Sequence, residues 1–379
     1  MMSSAIQRQL LCISAFVAVC SLGATSIRAE DLQLTLPPVV YAVPGQEMNI
    51  YFDNIVLTQS PQTYRFEVAC DLGIQEAARW TTTPDDNACG EHSMTVNVRD
   101  IDGQVVDTAM TLVKVAMPDS GKGTSLRLLI VGDSLTHASA YPNKLVRLFS
   151  TENNPQLTLM GTHMPSSAKQ GVAHEGYGGW TWQRFVAQYE PHPDGTYRKR
   201  SSPFVFVGSN GDPSLNVARY FDEECHGELP DVVTFLLGIN DCFSANPNDP
   251  DAIDTRIDGM FRSADTLLAA FRNAAPDAKL AVCLTTPPNS RQAAFEANYQ
   301  DRYTRWGWKR IQHRLVQRQL EHYGNREADR IFVIPTELNL DPVGGYPANN
   351  GVHPNESGYH QIANTLYAWL KVQAVRIDR

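Results

Sequence analysis

The feature that most constrains the fold of this chain is a series of five short, almost continuously apolar runs in its C-terminal part. They cover residues 128–131, 157–160, 232–237, 280–284 and 331–334. Strands that are apolar along their whole length are buried on both faces, as in a parallel sheet covered by helices. Between the runs, long stretches carry apolar residues three and four apart, which is the spacing of a helix with one buried face. These stretches include residues 254–271 and 295–323. The pattern predicts a doubly wound α/β domain.

The part of the chain before residue 120 has a different pattern, in which apolar and polar residues alternate. The alternation is clearest at 48–52, 66–70 and 94–98, and a period of two predicts strands with one buried face. Asp102-Gly103 lies between two such runs and predicts a hairpin turn, because glycine readily adopts positive φ. We expect an all-β domain, an immunoglobulin-like sandwich, over residues 30–116. A breaker-rich linker over 117–125 then leads into an α/β domain over 126–379.

The first 29 residues have the features of a secretory signal peptide. Arg8 supplies a positive charge, residues 10–24 are mainly apolar, and Ile27-Arg28-Ala29 suits a signal peptidase. Residues 1–29 are therefore predicted to be removed, which makes the mature protein secreted or periplasmic; an uncleaved membrane anchor is the alternative. No later stretch has the length and hydropathy of a transmembrane helix, so we expect no integral membrane span in the mature chain.

The charge of the chain limits the classes of partner that it can bind. The formal net charge is −9 and no block of Lys or Arg occurs, which argues against nucleic acid and anionic membranes as partners.

In an exported protein disulfides are expected, and Cys70 with Cys89 and Cys225 with Cys242 are the predicted pairs. Cys283 lies within an apolar run and is predicted to be a buried free thiol. Neither C-x-x-C nor H-E-x-x-H spacing occurs, so we expect no metal site.

Three short polar motifs stand where the predicted strands and helices change over. Gly132-Asp133-Ser134-Leu135 follows the first apolar run, Gly238-Ile239-Asn240-Asp241 follows the third, and Gly351-Val352-His353-Pro354 precedes the last helical pattern. In open α/β sheets, ligands bind beyond the carboxyl ends of the strands. The three motifs are therefore expected to converge on one pocket.

The residue types in these motifs suit acyl transfer. Ser134 is a candidate nucleophile, and a serine hydroxyl needs a base such as His353, whose pKa would lie near working pH. The negative oxygen of a tetrahedral intermediate needs donors, and we expect them from the backbone N–H groups of Ser134 and Gly179 and from the side-chain amide of Asn240. The sequence thus predicts hydrolysis of an ester.

Taken together, the motifs resemble those of the GDSL or SGNH hydrolase family. The resemblance rests on Gly-Asp-Ser-Leu at 132–135, Gly-Gly-Trp-Thr at 178–181, Gly-Ile-Asn-Asp at 238–241 and Gly-Val-His-Pro at 351–354, and it spans about residues 125–375. It implies a flavodoxin-like three-layer α/β/α fold and no cofactor. The implied activities are esterase, lipase, thioesterase or carbohydrate deacetylase.

One position departs from the family pattern. The family usually has an aspartate three residues before the histidine, where this chain has Asn350. Three hypotheses follow for the group that orients His353: the carboxylate of Asp341 on the same loop, a backbone carbonyl in a Ser-His dyad, or Asn350 itself. The Asn350 carbonyl could accept from Nδ1–H and hold the useful tautomer, whereas its amide could donate to Nδ1 and impose the other one.

We therefore predict an exported serine esterase whose substrate is a small-molecule or polysaccharide ester, with deacetylation of a glycan favoured. The grounds are export, the additional β-domain, and Trp180 and Trp182 beside the glycine turn. The alternatives are a lipase, thioesterase or acyltransferase and, because of Asn350, a glycan-binding protein on a decayed hydrolase fold. The stretch 183–225, rich in proline, glycine and charge, is predicted to form a lid or substrate wall.

Overall fold

The apolar runs of the C-terminal part form the strands of one parallel sheet. The computed structural model describes residues 32–374. The strands within these residues are β1 (Gln33–Leu34), β2 (Val39–Ala42), β3 (Met48–Tyr51), β4 (Val56–Leu57), β5 (Arg65–Ala69), β6 (Ile74–Gln75), β7 (Arg79–Thr82), β8 (Gly90–Arg99), β9 (Val105–Val115), β10 (Ser125–Gly132), β11 (Gln156–Met160), β12 (Glu175–Gly176), β13 (Val205–Val207), β14 (Pro213–Leu215), β15 (Val232–Leu236), β16 (Lys279–Cys283) and β17 (Ile331–Ile334). The predicted signal peptide lies outside the described residues.

Helices separate these strands along the chain. They are α1 (Phe52–Ile55), α2 (Ser134–His137), α3 (Ala140–Phe149), α4 (Trp182–Ala187), α5 (Val217–Glu224), α6 (Ile239–Cys242), α7 (Pro250–Ala274), α8 (Gln292–Tyr299), α9 (Arg305–Tyr323) and α10 (Glu356–Ala374). Short 3-10 helices lie at Pro61–Thr63, Asp86–Ala88, Tyr197–Lys199 and Glu327–Asp329. None of the helices within residues 32–374 is both long and apolar enough to cross a membrane.

The parallel sheet has the strand order β11-β10-β15-β16-β17, with the short β12 pairing the end of β10. Every neighbouring pair on this path is parallel, and every residue of β15 and β16 is buried. The prediction of parallel strands covered on both faces is confirmed. Counted along the chain this order is 2-1-3-4-5, which reverses direction between β10 and β15; ligands of doubly wound sheets bind at such a reversal.

The N-terminal strands form three further sheets around a core of their own. Their strand orders are β2-β9-β8-β5, β3-β7-β6 and the two-stranded β1-β4. Met94, Val96 and Val98 on β8 are buried while the residues between them are only half-buried, as the alternation predicts. The immunoglobulin-like character of this region stays a prediction.

The strand β3 departs from the expected pattern because both of its faces are covered. All four residues of β3 are buried, and Phe52, expected to continue the strand, begins α1. The polar side of β3 faces the segment 336–341, which follows the last strand of the parallel sheet. Asn49 N donates to Asn339 Oδ1 at 2.9 Å and Tyr51 N donates to Leu338 O at 3.2 Å.

The N-terminal strands and the α/β part are packed as one compact unit over the described residues. The Asn54 side-chain amide donates to the carbonyls of Glu337 and Leu340, at 2.8 Å each, and Leu338 packs in the core of the N-terminal strands. The predicted linker is held too: Lys371 Nζ donates to Pro118 O at 2.9 Å and to Ser120 O at 2.7 Å. The sequence pattern changes near residue 120, but the segments on the two sides of this point are packed against each other.

The predicted disulfides are not formed, and the five cysteines of the described residues are all free thiols. Each sulfur of the predicted pairs has a different neighbour. Cys89 Sγ lies 3.3 Å from Ala116 O and Cys70 Sγ lies 3.9 Å from Asp71 Oδ1. Cys242 is buried in α6 with its Sγ 4.0 Å from Met260 Sδ, whereas Cys225 follows the end of α5 and is half-buried. Cys283 is a buried free thiol in β16, as expected.

We predict that Asn54→Ala lowers the free energy of unfolding by about 1–3 kcal/mol. The substitution removes the donor that binds the carbonyls of Glu337 and Leu340. A buried carbonyl without a hydrogen-bond partner is destabilising, because its lost hydrogen bonds to water are not replaced. Equilibrium urea denaturation measures the change. The matched control is Asn210→Ala in an exposed turn, where we expect a change within about 0.5 kcal/mol; equal effects of the two substitutions would contradict the prediction.

Candidate active site

Ser134 lies on a sharp strand-to-helix turn at the carboxyl end of β10, next to the reversal of strand order. Asp133 precedes it and caps α2, its Oδ1 accepting a hydrogen bond from Leu135 N at 3.0 Å. Glycine is required before this cap, because a Cβ on Gly132 would stand 1.9 Å from Thr136 Oγ1. As the first residue of α2, Ser134 has a backbone N–H without an intrahelical partner.

His353 approaches Ser134 from the loop between β17 and α10. Its Nε2 lies 2.8 Å from Ser134 Oγ, although the two residues are 219 positions apart in the sequence. Both side chains line the same cavity. Burial lowers the pKa of His353, so its imidazole is neutral at neutral pH and able to accept the serine proton.

The other ring nitrogen of His353 faces Asn350. Asn350 Oδ1 accepts hydrogen bonds from Val352 N at 3.1 Å and from His353 N at 2.9 Å, and it lies 3.1 Å from His353 Nδ1. Two backbone N–H groups can only donate to an oxygen, so the oxygen of the amide, not its nitrogen, faces the ring. Nδ1 must then carry the proton, and the lone pair of Nε2 is directed at Ser134. This is the tautomer that a general base needs.

Asp341 is placed elsewhere and does not orient His353. Its Oδ1 closes the turn of its own loop by accepting from Val343 N at 2.8 Å and from Gly344 N at 2.9 Å. The second hypothesis, in which a backbone carbonyl orients His353, does not match the structure either. Nδ1 of His353 contacts the side chain of Asn350 and not a backbone carbonyl. Asn350, three residues before His353, reaches the imidazole ring directly. The Asp341 carboxylate instead accepts hydrogen bonds from backbone N–H groups of its own turn.

Asn240 lies at the start of α6, after β15, and lines the same cavity as Ser134 and His353. Its Nδ2 donates to Trp180 O at 3.0 Å and, more weakly, to Asp133 Oδ2 at 3.3 Å. Gly179 is the third residue of a turn closed by a hydrogen bond from Trp180 N to Tyr177 O at 3.2 Å. Its φ of +78° is one that glycine adopts without strain. The glycine turn is thus tied to Asn240 through Trp180, but Gly179 is not among the residues that line the cavity.

Two buried carboxyl groups stand behind this cavity. Burial raises the pKa of Asp133 to about 7, and burial together with the charge of Asp133 raises the pKa of Asp241 to about 7. Asp241 Oδ1 accepts from Trp182 N at 3.1 Å. The two carboxyl groups therefore hold the Ser134 turn, the glycine turn and the Asn240 turn together. Because burial raises their pKa values, each group is partly protonated at neutral pH. Within residues 32–374 no cluster of three His, Cys, Asp or Glu side chains could hold a metal ion.

The cavity has a volume of about 430 Å³. Besides the residues already described, it is lined by Leu135, Ile239, Phe243, Ala297, Asn298, Tyr299, Gln300, Arg302, Tyr303 and Val352. The ring of Phe243 lies 5.2 Å from that of Tyr299 and 4.3 Å from that of Tyr303, centroid to centroid. These three rings form an aromatic wall beside the Ser-His pair.

Two of the three rings, those of Tyr299 and Tyr303, come from a segment that the sequence pattern predicted to be part of one long helical stretch, whereas Phe243 follows α6. That stretch, 295–323, is broken between α8 and α9, and Gln300 at the break has a φ of +55°. A signal for the break was present in Thr304, whose Oγ1 accepts from Gly307 N at 3.0 Å and caps α9. Threonine before a helical pattern is a common helix start.

One other expectation about the pocket is wrong, and one of the grounds for a glycan substrate is removed. The stretch 183–225 does not line the Ser134 cavity; its residues 193–206 line a separate one together with His163. Trp180 and Trp182 are 0% and 1% exposed, so they belong to the core and cannot stack on a sugar. The sequence pattern of a loop does not show which pocket the loop faces, because its position depends on the packing of elements that are distant in the sequence.

Asn289 is a further residue of the site that the sequence motifs do not reveal. It is fully buried after β16, where its Nδ2 donates to Pro347 O at 2.9 Å and to Asn350 O at 3.0 Å. Its backbone N donates to Gly351 O at 2.9 Å. Asn289 therefore fixes the loop that carries Asn350 and His353, without contact to the reacting atoms.

We predict that Asn289→Ala lowers kcat by about 10- to 100-fold, because a shift of the His353 loop by a fraction of an ångström misaligns the base. KM should change little, since Asn289 does not line the cavity. Steady-state kinetics on p-nitrophenyl acetate measures both constants, and circular dichroism shows whether the variant is folded. A folded variant with unchanged kcat would show that the loop does not depend on this clamp.

The chain is similar to a known protein family and to several solved structures. A family model described as the GDSL-like lipase/acylhydrolase family matches residues 130–361. No curated protein matches the chain.

Several solved structures are similar to this one at low identity. A family 3 carbohydrate esterase from Talaromyces cellulolyticus is 18% identical with a TM-score of 0.43, and the match covers 66% of this chain and 98% of that one. A family 3 carbohydrate esterase from Clostridium thermocellum is 18% identical with a TM-score of 0.40, covering 64% and 94%. The acetylxylan esterase Axe2 from Geobacillus stearothermophilus is 15% identical with a TM-score of 0.35, covering 66% and 96%. Similarity at this level does not indicate the substrate of this chain.

Proposed function

Since the chain belongs to the GDSL-like lipase/acylhydrolase family and is a hydrolase of ester bonds, we propose that Ser134 is its nucleophile, that His353 is its general base and that its substrate is an acylated carbohydrate. The observation that carries the proposal is the 2.8 Å contact between Ser134 Oγ and His353 Nε2. Asn350 selects the tautomer that makes this contact productive. A binding protein on a decayed fold would have no need of either feature.

In the proposed reaction, Ser134 Oγ attacks the ester carbonyl while His353 Nε2 takes the hydroxyl proton. The tetrahedral intermediate places its negative oxygen near the N–H of Ser134 and near Asn240 Nδ2, both on residues that line the cavity, whereas Gly179 does not line it and is given no donor role. His353 then protonates the leaving alcohol. Water, deprotonated by the same imidazole, releases the acyl group from Ser134 and restores the enzyme.

The nature of the cavity supports a carbohydrate as the alcohol part of the ester. Its aromatic wall offers flat faces against which a sugar ring packs, and Asn298 and Gln300 beside it offer amide donors and acceptors for hydroxyl groups. A volume of about 430 Å³ lies in the range of sites for small ligands. We propose an acetyl group as the acyl part and, from residues 1–29, action outside the cytoplasm.

We expect Ser134→Ala to abolish labelling by a fluorophosphonate probe and to lower kcat on p-nitrophenyl acetate by about 10⁴-fold or more, because the covalent step has no other nucleophile. Ser150→Ala, an exposed serine after α3, is the matched control and should label normally. An unlabelled wild-type protein that also leaves p-nitrophenyl acetate intact would falsify the assignment of Ser134.

A second prediction concerns the pH dependence of kcat/KM. The base must be neutral, and burial lowers the pKa of His353, so activity should persist below the ordinary histidine pKa of about 6.5. In Asn350→Asp a carboxylate next to Nδ1–H stabilises the imidazolium, which raises the pKa of His353 by about one unit or more. The acidic limb of the profile should therefore move to higher pH.

The plateau of the same profile should rise in Asn350→Asp, because the imidazolium formed in the transition state gains a full countercharge. Asn210→Asp in an exposed turn adds the same charge far from the site and should leave the profile unchanged. If the acidic limb of Asn350→Asp stays where it is in the wild type, Asn350 does not contact His353 during catalysis.

A further inference from the structure

The charges around the active-site cavity are unevenly distributed. No aspartate or glutamate lines it, and Arg302 is its one permanently charged residue. The whole sequence, in contrast, has 41 acidic residues against 32 Lys and Arg. Asp133 and Asp241 lie behind the cavity, and burial raises the pKa of each to about 7, so Arg302 is the one full charge that the cavity lining presents to a ligand.

Arg302 is held at the cavity by an aromatic ring. Its guanidinium carbon lies 5.1 Å from the centroid of the Tyr303 ring, a cation–π distance. A hydrogen bond from Arg302 N to Tyr299 O at 3.2 Å fixes the turn after Gln300. The arginine therefore belongs to the same turn as the aromatic wall.

The guanidinium group of Arg302 is available to a ligand. Within residues 32–374 it forms neither an ion pair nor a side-chain hydrogen bond with the protein, and the residue is exposed. Its neighbour Arg305 shows the opposite arrangement, with its Nη2 bound to both carboxylate oxygens of Asp53 at 3.1 Å. Of these two arginines, Arg305 is paired with a carboxylate of the protein, whereas Arg302 at the cavity is not paired within residues 32–374.

We propose, on the basis of the proposed function, that the carbohydrate ester cleaved by this site carries a carboxylate, as in an O-acetylated uronic acid. The planar fork of Arg302 matches a carboxylate through two parallel hydrogen bonds. The sugar ring lies against Tyr303 and its neighbours, while the acylated hydroxyl reaches Ser134. Arg302 is thus a specificity residue that acts on the alcohol part of the ester.

The test uses two substrates that differ only in the proposed group: a methyl glucuronoside and a methyl glucoside, each acetylated at the same hydroxyl. Wild-type protein should have a kcat/KM about fivefold higher on the glucuronoside, the size expected of one partly exposed ion pair. The preference should fall in high salt, because an exposed ion pair is screened.

The variant Arg302→Gln should bring the ratio of the two kcat/KM values close to one, because kcat/KM on the glucuronoside falls by about fivefold more than kcat/KM on the glucoside. Arg302→Lys keeps the charge without the fork and should retain part of the preference. Arg262→Gln, an exposed arginine on α7, is the matched control and should leave the ratio unchanged.

The outcomes separate this proposal from the one on which it rests. Equal wild-type activity on both acetylated sugars, or an equal loss on both in Arg302→Gln, overturns the role of Arg302 and leaves the carbohydrate esterase proposal intact. Hydrolysis of p-nitrophenyl acetate with neither sugar ester cleaved overturns both. A glucuronoside preference that Arg302→Gln removes supports both.

Discussion

The competence of the candidate site depends on one amide oxygen. Asn350 Oδ1 receives two backbone N–H groups of its own loop and faces Nδ1 of His353. Because the backbone donors fix which end of the amide faces the ring, they also fix the histidine tautomer, and with it the direction of the Nε2 lone pair toward Ser134. An asparagine here supplies the orientation that an aspartate would give, but not its charge.

The loop that carries this oxygen is held along most of its length. Segment 336–341 receives hydrogen bonds from β3 and two more from Asn54 on α1. Asn289 binds carbonyls at 347, 350 and 351. A long loop would otherwise have the freedom to move the base away from Ser134. The N-terminal strands, which do not line the cavity, therefore contribute to the site through the segment that leads to His353.

Much of this protein could be predicted from local pattern. Apolar runs predicted the parallel sheet, and the motif residues Ser134, Asn240 and His353 lie around one cavity. The sheet explains why: β10 and β15 are neighbours at the reversal of strand order, so residues that follow them must lie close together. The wall at 297–303 and the clamp at Asn289 carry no such signal, because their roles arise from contacts between elements distant in sequence.

The sequence by itself determined the strand-and-helix alternation, the motif order and the residue types of the chemistry, since these follow from short-range periodicity and from the side chains themselves. Only the tertiary structure decided which side chain contacts Nδ1 of His353. Asp341 and Asn350 stand on the same loop and both could reach a ring nitrogen in principle. The folded backbone instead engages Asp341 in its own turn and leaves Asn350 beside the imidazole, a choice set by packing rather than by residue type.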